Sequence, residues 1–213
     1  MDKHLQAIMG KRVDKTLKNL ERNRFDARYV ETAAEAVRLV SGMLPEGATV
    51  AFGGSMTLFE SGIMRMLQSA PIRLLDRNAP GLTPDAVKGI YRAAFSSDFY
   101  LCSTNAVTES GELYNVDGNS NRVAAMLYGP DRVIVVAGIN KLVVDLAEAD
   151  RRMKTIAAPA NATRLSCATP CVQTGRCENC KTEARICCNA VTMGPQRHPG
   201  RVTVILVGEP LGY

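Results

Sequence analysis

Six of the chain's seven cysteines fall between residues 167 and 188, and four of them form the run Cys171-x5-Cys177-x2-Cys180-x6-Cys187. Thiolates are soft ligands, and a Cys-x2-Cys pair with further cysteines on both sides offers the four sulfurs that zinc or an iron–sulfur cluster takes. Pro170, Gly175 and the short polar residues around them supply the turns such a ligand loop needs. The spacing differs from the paired Cys-x2-Cys of a zinc ribbon and from the compact cysteine run of bacterial ferredoxins. An iron–sulfur cluster held by Cys171, Cys177, Cys180 and Cys187 is the first expectation and structural zinc the second. Redox-active or inert thiols stay open beside them. Cys102, alone in an apolar run, reads as a small buried hydrophobe.

A second chemistry is anion binding. Gly53 and Gly54 stand between an apolar run and a helical pattern, where backbone can approach a ligand closely. The hydroxyls of Ser55 and Thr57 and the first helical N–H groups can then hold a phosphate or carboxylate. A plain strand-to-helix turn is the alternative, because such turns need glycine in any case. Further on, Thr104, Asn105 and Thr108 precede Glu109, and Asn115, Asp117, Asn119, Asn121 and Arg122 follow. So many small polar groups after a strand suit the ligand crevice of an open parallel sheet, although Asn and Asp can also bond their own loop backbone. Glu109 is the one residue of that stretch with acid/base or nucleophilic potential, and Arg122 is suited to pair a carboxylate through two N–H bonds. Asn140 and Lys141 follow an apolar run, where they are placed either to face the same crevice or to start a helix in solvent. His4 and His198 offer no Ser-His-Asp or Cys-His constellation.

The elements that must position these groups alternate. Leu5, Ile8, Met9, Val13, Leu17 and Leu20 recur at helical spacing in an amphipathic leading segment, residues 1–24. Thr32 and Glu35 form a capping box for a second helix that ends before Pro45. Residues 48–52, 72–75, 100–103 and 132–138 read as strands, the last buried on both faces, and residues 57–68 read as one helix. Thr83-Pro84 starts another helix. Residues 109–112 form a hairpin tip between 106–107 and 113–114, and Leu142, Leu146, Ala149 and Met153 share a helical face. Residues 155–200 lose periodicity before a final strand at 201–207. The expectation is one α/β domain, residues 25–213, with a mainly parallel sheet, flanking helices and a cysteine-rich insertion at 166–200.

Composition sets bounds on function. The chain has 213 residues, 46% hydrophobic and 22% charged, which excludes disorder and low-complexity classes. Its apolar runs are too short for a membrane span, and its charged N-terminus is unlike a secretory leader, so a cytoplasmic location is expected. Residues 1–28 carry a net +4, residues 29–150 −5 and residues 151–213 +6. Without tryptophan or basic-aromatic interleaving these basic ends do not read as a nucleic-acid surface. They suit thiolate-bound metal or a small anionic ligand instead.

Taken together, Gly53-Gly54-Ser55-Met56-Thr57-Leu58, the run from Thr104 to Gly111, Asn121-Arg122-Val123-Ala124, Gly129-Pro130 and Gly138-Ile139-Asn140-Lys141 resemble the lactate utilization (LUD) domain family. The resemblance runs from about Arg28 to Gly208. It implies a fold like that of ribose-5-phosphate isomerases, glucosamine-phosphate isomerases and CoA transferases. It also implies an accessory or redox role in bacterial oxidation of L-lactate or a related hydroxy acid, alongside other lactate-oxidation subunits. A homo-oligomer is a separate expectation. The segment from Cys171 to Cys188 resembles that of short stand-alone members. An isomerase or CoA-transferase-like enzyme using Glu109, and a zinc-stapled sensing or assembly subunit, are the alternatives.

Overall fold

The β-branched run Arg132–Gly138 is buried from Val133 onward, and such a strand has to be covered on both faces. The computed structural model, which describes residues 2–213, covers it with helices on each side. The chain begins with helix α1 (Lys3–Arg22), strand β1 (Asp26–Val30), α2 (Ala33–Met43) and β2 (Thr49–Phe52). Two short helices follow, α3 (Met56–Glu60) and α4 (Ile63–Ser69), then β3 (Arg73–Leu75), α5 (Pro84–Ala93) and β4 (Phe99–Cys102). Next come β5 (Ala106–Thr108), β6 (Leu113–Asp117), α6 (Asn121–Leu127) and β7 (Arg132–Gly138). The remainder holds β8 (Leu142–Val143), α7 (Leu146–Arg152), α8 (Ala158–Arg164), α9 (Cys171–Thr174), β9 (Asn189–Met193) and β10 (Val202–Val207).

Six strands form an all-parallel sheet in the order β1-β10-β7-β4-β2-β3, which bears out the α/β expectation. Alternate residues of a strand face opposite sides. Accordingly Val133, Val135, Val204 and Leu206 join a core with Leu20 of α1, while Ile134, Val136, Ile205 and Val207 join a second core with Val40, Leu58 and Ile63. Each fully buried aliphatic side chain there contributes about 1.5–3 kcal/mol of transfer free energy. A smaller sheet, β8-β5-β6-β9, lies beyond the carboxyl end of β4 and is parallel only between β5 and β8.

Several expectations need correction. The helix expected over 57–68 is two helices, because Gly62 sits in the left-handed region at φ +84° and starts α4 afresh. Leu142 and Val143 pair with β5 as a strand, and the helix begins only after Asp145, whose side chain accepts from Glu148 N. The irregular stretch 155–200 contains α8, α9 and β9. Between α7 and α8, residues Met153–Ala157 make a π turn. Pro159 explains it, since it lacks the N–H that would continue the α ladder.

The apolar stripe of α1 docks only in its second half: Val13, Thr16 and Leu20 are buried, but Leu5 and Ile8 are each 58% exposed. That half is tied to the β5–β6 hairpin tip. Asn19 Nδ2 donates to Glu109 O at 2.7 Å and Asn23 Nδ2 to Gly111 O at 2.7 Å. Gly111, at φ +83°, passes so close to α1 that a Cβ would lie 2.6 Å from the Asn19 carbonyl carbon. Among the described residues no helix is long and apolar enough to cross a membrane.

Candidate functional site

A crevice of about 360 Å³ opens at the carboxyl ends of β2 and β4, between the large sheet, the small sheet and α8, within the size range of small-molecule sites. Many of the residues singled out from sequence line it, among them Gly54, Ser55, Thr104, Asn105, Asn121, Arg122 and Lys141. Strand ends deliver most of them, as an open parallel sheet does.

Lys141 is the most unusual group. It follows β7 on a short 3-10 turn and is only 2% exposed. Its ammonium donates to Thr57 Oγ1 at 2.8 Å, Ser103 Oγ at 3.0 Å and Thr104 O at 3.2 Å, all neutral oxygens. Burial lowers its pKa to about 7, helped by the positive charges of Arg152 and Arg122 and opposed by Glu60 and Cys102. Thr57 therefore belongs to the site through Lys141, without itself lining the crevice.

Arg122 takes a different role from the one its type suggested. Its Nη1 donates to Ser103 O at 2.9 Å and Asn115 Oδ1 at 2.6 Å, and its Nη2 to Val116 O at 2.9 Å and Asn105 Oδ1 at 3.3 Å. Its Nε lies 3.9 Å from Asp117 Oδ2. With both terminal nitrogens engaged, Arg122 brings charge to the crevice and clamps the two sheets together, but has no free fork for a carboxylate. Asp117 is likewise engaged, accepting from the amides of Arg122 and Val123 at 3.1 Å each.

The free fork belongs to Arg77, which the sequence reading passed over. It stacks on Tyr91, with Cζ 5.1 Å from the ring centroid, and among the described residues it has no hydrogen-bonding or carboxylate partner. Its Nη2 lies 3.6 Å from the position a Gly54 Cβ would occupy, so the Gly54 turn faces an unengaged guanidinium. The one signal for it in the sequence is its place just after a short apolar strand. Tyr213 also lines the crevice, and its hydroxyl is the one buried side-chain polar atom without a partner among the described residues. Such an atom costs about 1–3 kcal/mol unless something bonds it.

Glu109 does not share this space. It sits on the hairpin tip, 8% exposed, with Oε1 2.6 Å from Arg12 Nε and Oε2 3.0 Å from Lys15 Nζ. Burial pushes its pKa up, but the bonds from Lys15 and Arg12 outweigh burial and hold it below the usual range. The expectation that Glu109 acts inside the crevice is corrected: its hairpin points toward α1, and the carboxylate anchors that helix. Thr108 stays on the same tip, bonded to Ser110 and Glu112. Gly53 lies behind the crevice, packed against Tyr100 and Arg122. Asn140 turns outward and holds the segment after β10, donating to Gly212 O at 2.8 Å and accepting from Leu211 N at 3.1 Å.

The cysteine segment forms one wall of the crevice. Arg185, Ile186 and Cys187 line both the crevice and a much smaller cavity that Cys171, Cys177 and Cys180 share. All seven cysteines are free thiols. Burial pushes the Cys187 thiol up, Arg185 opposes this, and Cys177, Cys180 and Cys171 add to it. Among the described residues no three Cys, His, Asp or Glu side chains are spaced to grip one ion as they stand.

Residues 13–207 match the model of the LUD domain. No curated protein matches the chain. Among solved structures, the chain is similar to a DUF162 family protein from Deinococcus radiodurans, at 15% identity and a TM-score of 0.53 over 94% of this chain and 98% of that one. A likeness to eIF2B delta from Chaetomium thermophilum, at 17% identity and a TM-score of 0.35, covers 55% of this chain and 50% of that one.

Proposed function

The chain belongs to the LUD domain family, the lactate utilization domain, and on that premise we propose that its crevice binds a small anionic ligand, first a hydroxy acid or its oxo counterpart. The protein then serves hydroxy-acid oxidation as a binding or accessory component, working with other subunits that move the electrons. The observation that carries this reading is the charge balance of the crevice. Lys141 and Arg122 are held there against neutral oxygens and one engaged carboxylate, and Arg77 offers an unengaged fork. A carboxylate entering beside Gly54 would meet Arg77 directly and the field of Arg122, joined by that of Lys141 where it is protonated. Tyr213 Oη would gain a partner.

A binding role is favoured over autonomous catalysis by the position of Glu109. A transferase or isomerase step through that carboxylate needs it in the crevice, and it lies in an ion pair with α1. A two-electron oxidation of lactate would also require a cofactor or cluster to accept the electrons. The test is calorimetric titration of lactate, pyruvate, a sugar phosphate and CoA into the protein and into Arg77→Ala. Loss of a charge-assisted fork should weaken lactate or pyruvate binding by about 10- to 100-fold, matching about 1.5–3 kcal/mol. Binding of CoA or sugar phosphate alone would move the isomerase or transferase reading ahead. No binding by any of the four would refute the ligand reading and leave an assembly role.

A further inference from the structure

The loop from Cys171 to Cys187 gathers four thiols around a cavity of about 10 Å³, enough for one water-sized atom. Three of the four sulfurs already have a polar hydrogen directed at them or within reach. Asn179 N donates to Cys177 Sγ at 3.3 Å, Thr182 Oγ1 to Cys180 Sγ at 3.9 Å, and Thr169 Oγ1 lies 3.3 Å from Cys171 Sγ. Polar hydrogens at or near sulfur are the kind of second contact that holds a metal-bound sulfur in place. The turn between Cys177 and Cys180 has Asn179 in the left-handed region at φ +49°, which brings the pair's backbone together without a disulfide. Arg185 closes the loop by donating from Nη1 to Cys180 O and from Nε to Cys187 O at 2.8 Å, placing a fixed positive charge beside the sulfurs.

We propose that Cys171, Cys177, Cys180 and Cys187 are the four ligands of one thiophilic metal centre, which pins the Arg185–Cys188 segment as a wall of the crevice. The four sulfurs line one cavity without yet converging on a point, and rotation about a Cα–Cβ bond, which carries a sulfur through about 3 Å, is the movement that would bring them together. Cys188 stays outside the set: it is exposed and its thiol donates to Arg185 O at 3.5 Å. A lone zinc ion and an iron–sulfur cluster would use the same four thiolates. The assignment does not rest on crevice binding, because metal content is measured without any crevice ligand.

The full chain is purified anaerobically and analysed for zinc, iron and acid-labile sulfide, with a visible spectrum and a count of alkylatable thiols. Zinc near one per chain, or iron with matching sulfide and a visible band, is expected, together with shielding from alkylation of the four ligand thiols beside the buried Cys102. Cys180→Ser should lose nearly all of the metal and Cys188→Ser should keep it. Where Cys180→Ser folds poorly, cobalt titration of the wild type supplies the readout: an intense sulfur-to-cobalt band that vanishes on alkylation supports the assignment. Absence of metal after anaerobic reconstitution with zinc, or with iron and sulfide, would overturn it, as would equal metal loss in the two variants.

Discussion

Replacing Lys141 by methionine should change how stability responds to pH. The unfolded chain keeps the lysine proton up to about pH 10.5, whereas burial among Thr57, Ser103 and Thr104 lets the folded chain keep it only to about 7. Between those values unfolding takes up a proton, so raising the pH disfavours unfolding and the folded state gains stability. Below about 7 both states are protonated and the folded state carries the full burden of a buried charge. One proton of difference corresponds to about 1.4 kcal/mol per pH unit. From about pH 7.5 to about 8.5, where the folded state still holds a small fraction of the proton, wild type should therefore gain about 1.2 kcal/mol relative to Lys141→Met, or about 2–5 °C in melting temperature for a chain of this size. The variant orphans little. Thr57 Oγ1 still donates to Leu211 O at 3.1 Å and Ser103 Oγ to Thr104 O at 3.3 Å, and methionine is unbranched enough to fill the stem's place. Urea unfolding of both proteins across that range provides the measurement. Thiols and carboxylates titrate in both and cancel in the difference. Parallel stability curves would show that Lys141 is solvated or neutralised in a way these contacts do not provide.

Gly53→Ala should destabilise by about 1–3 kcal/mol through overpacking, because its Cβ would come 2.9 Å from Tyr100 Oη and 3.0 Å from Arg122 Cγ. Gly54→Ala meets only Arg77 at ordinary contact distance. Its melting temperature should stay close to wild type while anion affinity falls, and a large drop in melting temperature would assign that glycine to the fold alone. Glu109→Gln should loosen α1, costing about 1–2 kcal/mol as charge-assisted bonds to Arg12 and Lys15 weaken. Because the Glu109 pKa is lowered on folding, that stability is fully present above the usual carboxylate range and lost as pH falls through the lowered value. Acid unfolding profiles of the two proteins should therefore converge at low pH.

The parts of this structure legible in the sequence are those whose cause is local. The capping box at Thr32 and Glu35 and the buried run Arg132–Gly138 follow from hydrogen-bonding reach and burial on both faces. Strand β1 escaped notice because Asp26-Ala27-Arg28-Tyr29-Val30 is an edge strand with alternate exposure and charge. Strand β9 is similarly exposed and owes its form to pairing with β6, more than 70 residues away. The crevice was legible at the level of strand ends, which is why Gly54, Asn105 and Lys141 meet there. The identity of the free cation was not. Arg122 looked available because a sequence does not reveal that Ser103, Asn115 and Val116 will engage its nitrogens, and Arg77 looked ordinary because its neighbour Tyr91 comes from another element. Glu109 was placed on the right hairpin, yet which way a hairpin tip points is decided by what packs against it, here α1.

The π turn at Met153–Ala157 gives the long helical rod from Leu146 to Arg164 a fixed phase. Its front end is keyed to the small sheet's surroundings, where Arg152 donates to Asn140 O at 3.0 Å and Asn105 O at 2.7 Å. Its rear end presents Asn161 and Arg164 to the crevice and leads into the cysteine loop. Each residue of an α-helix advances the next by about 100° and 1.5 Å, so a rod one residue shorter at the π turn could satisfy one end but not both. The surplus residue acts as an angular spacer between two docking faces. The length of this segment is therefore constrained more tightly than its composition: exchanging exposed Thr155 or Ile156 leaves the phase intact, whereas removing either would rotate Asn161, Arg164 and everything attached behind them out of alignment with the sheet.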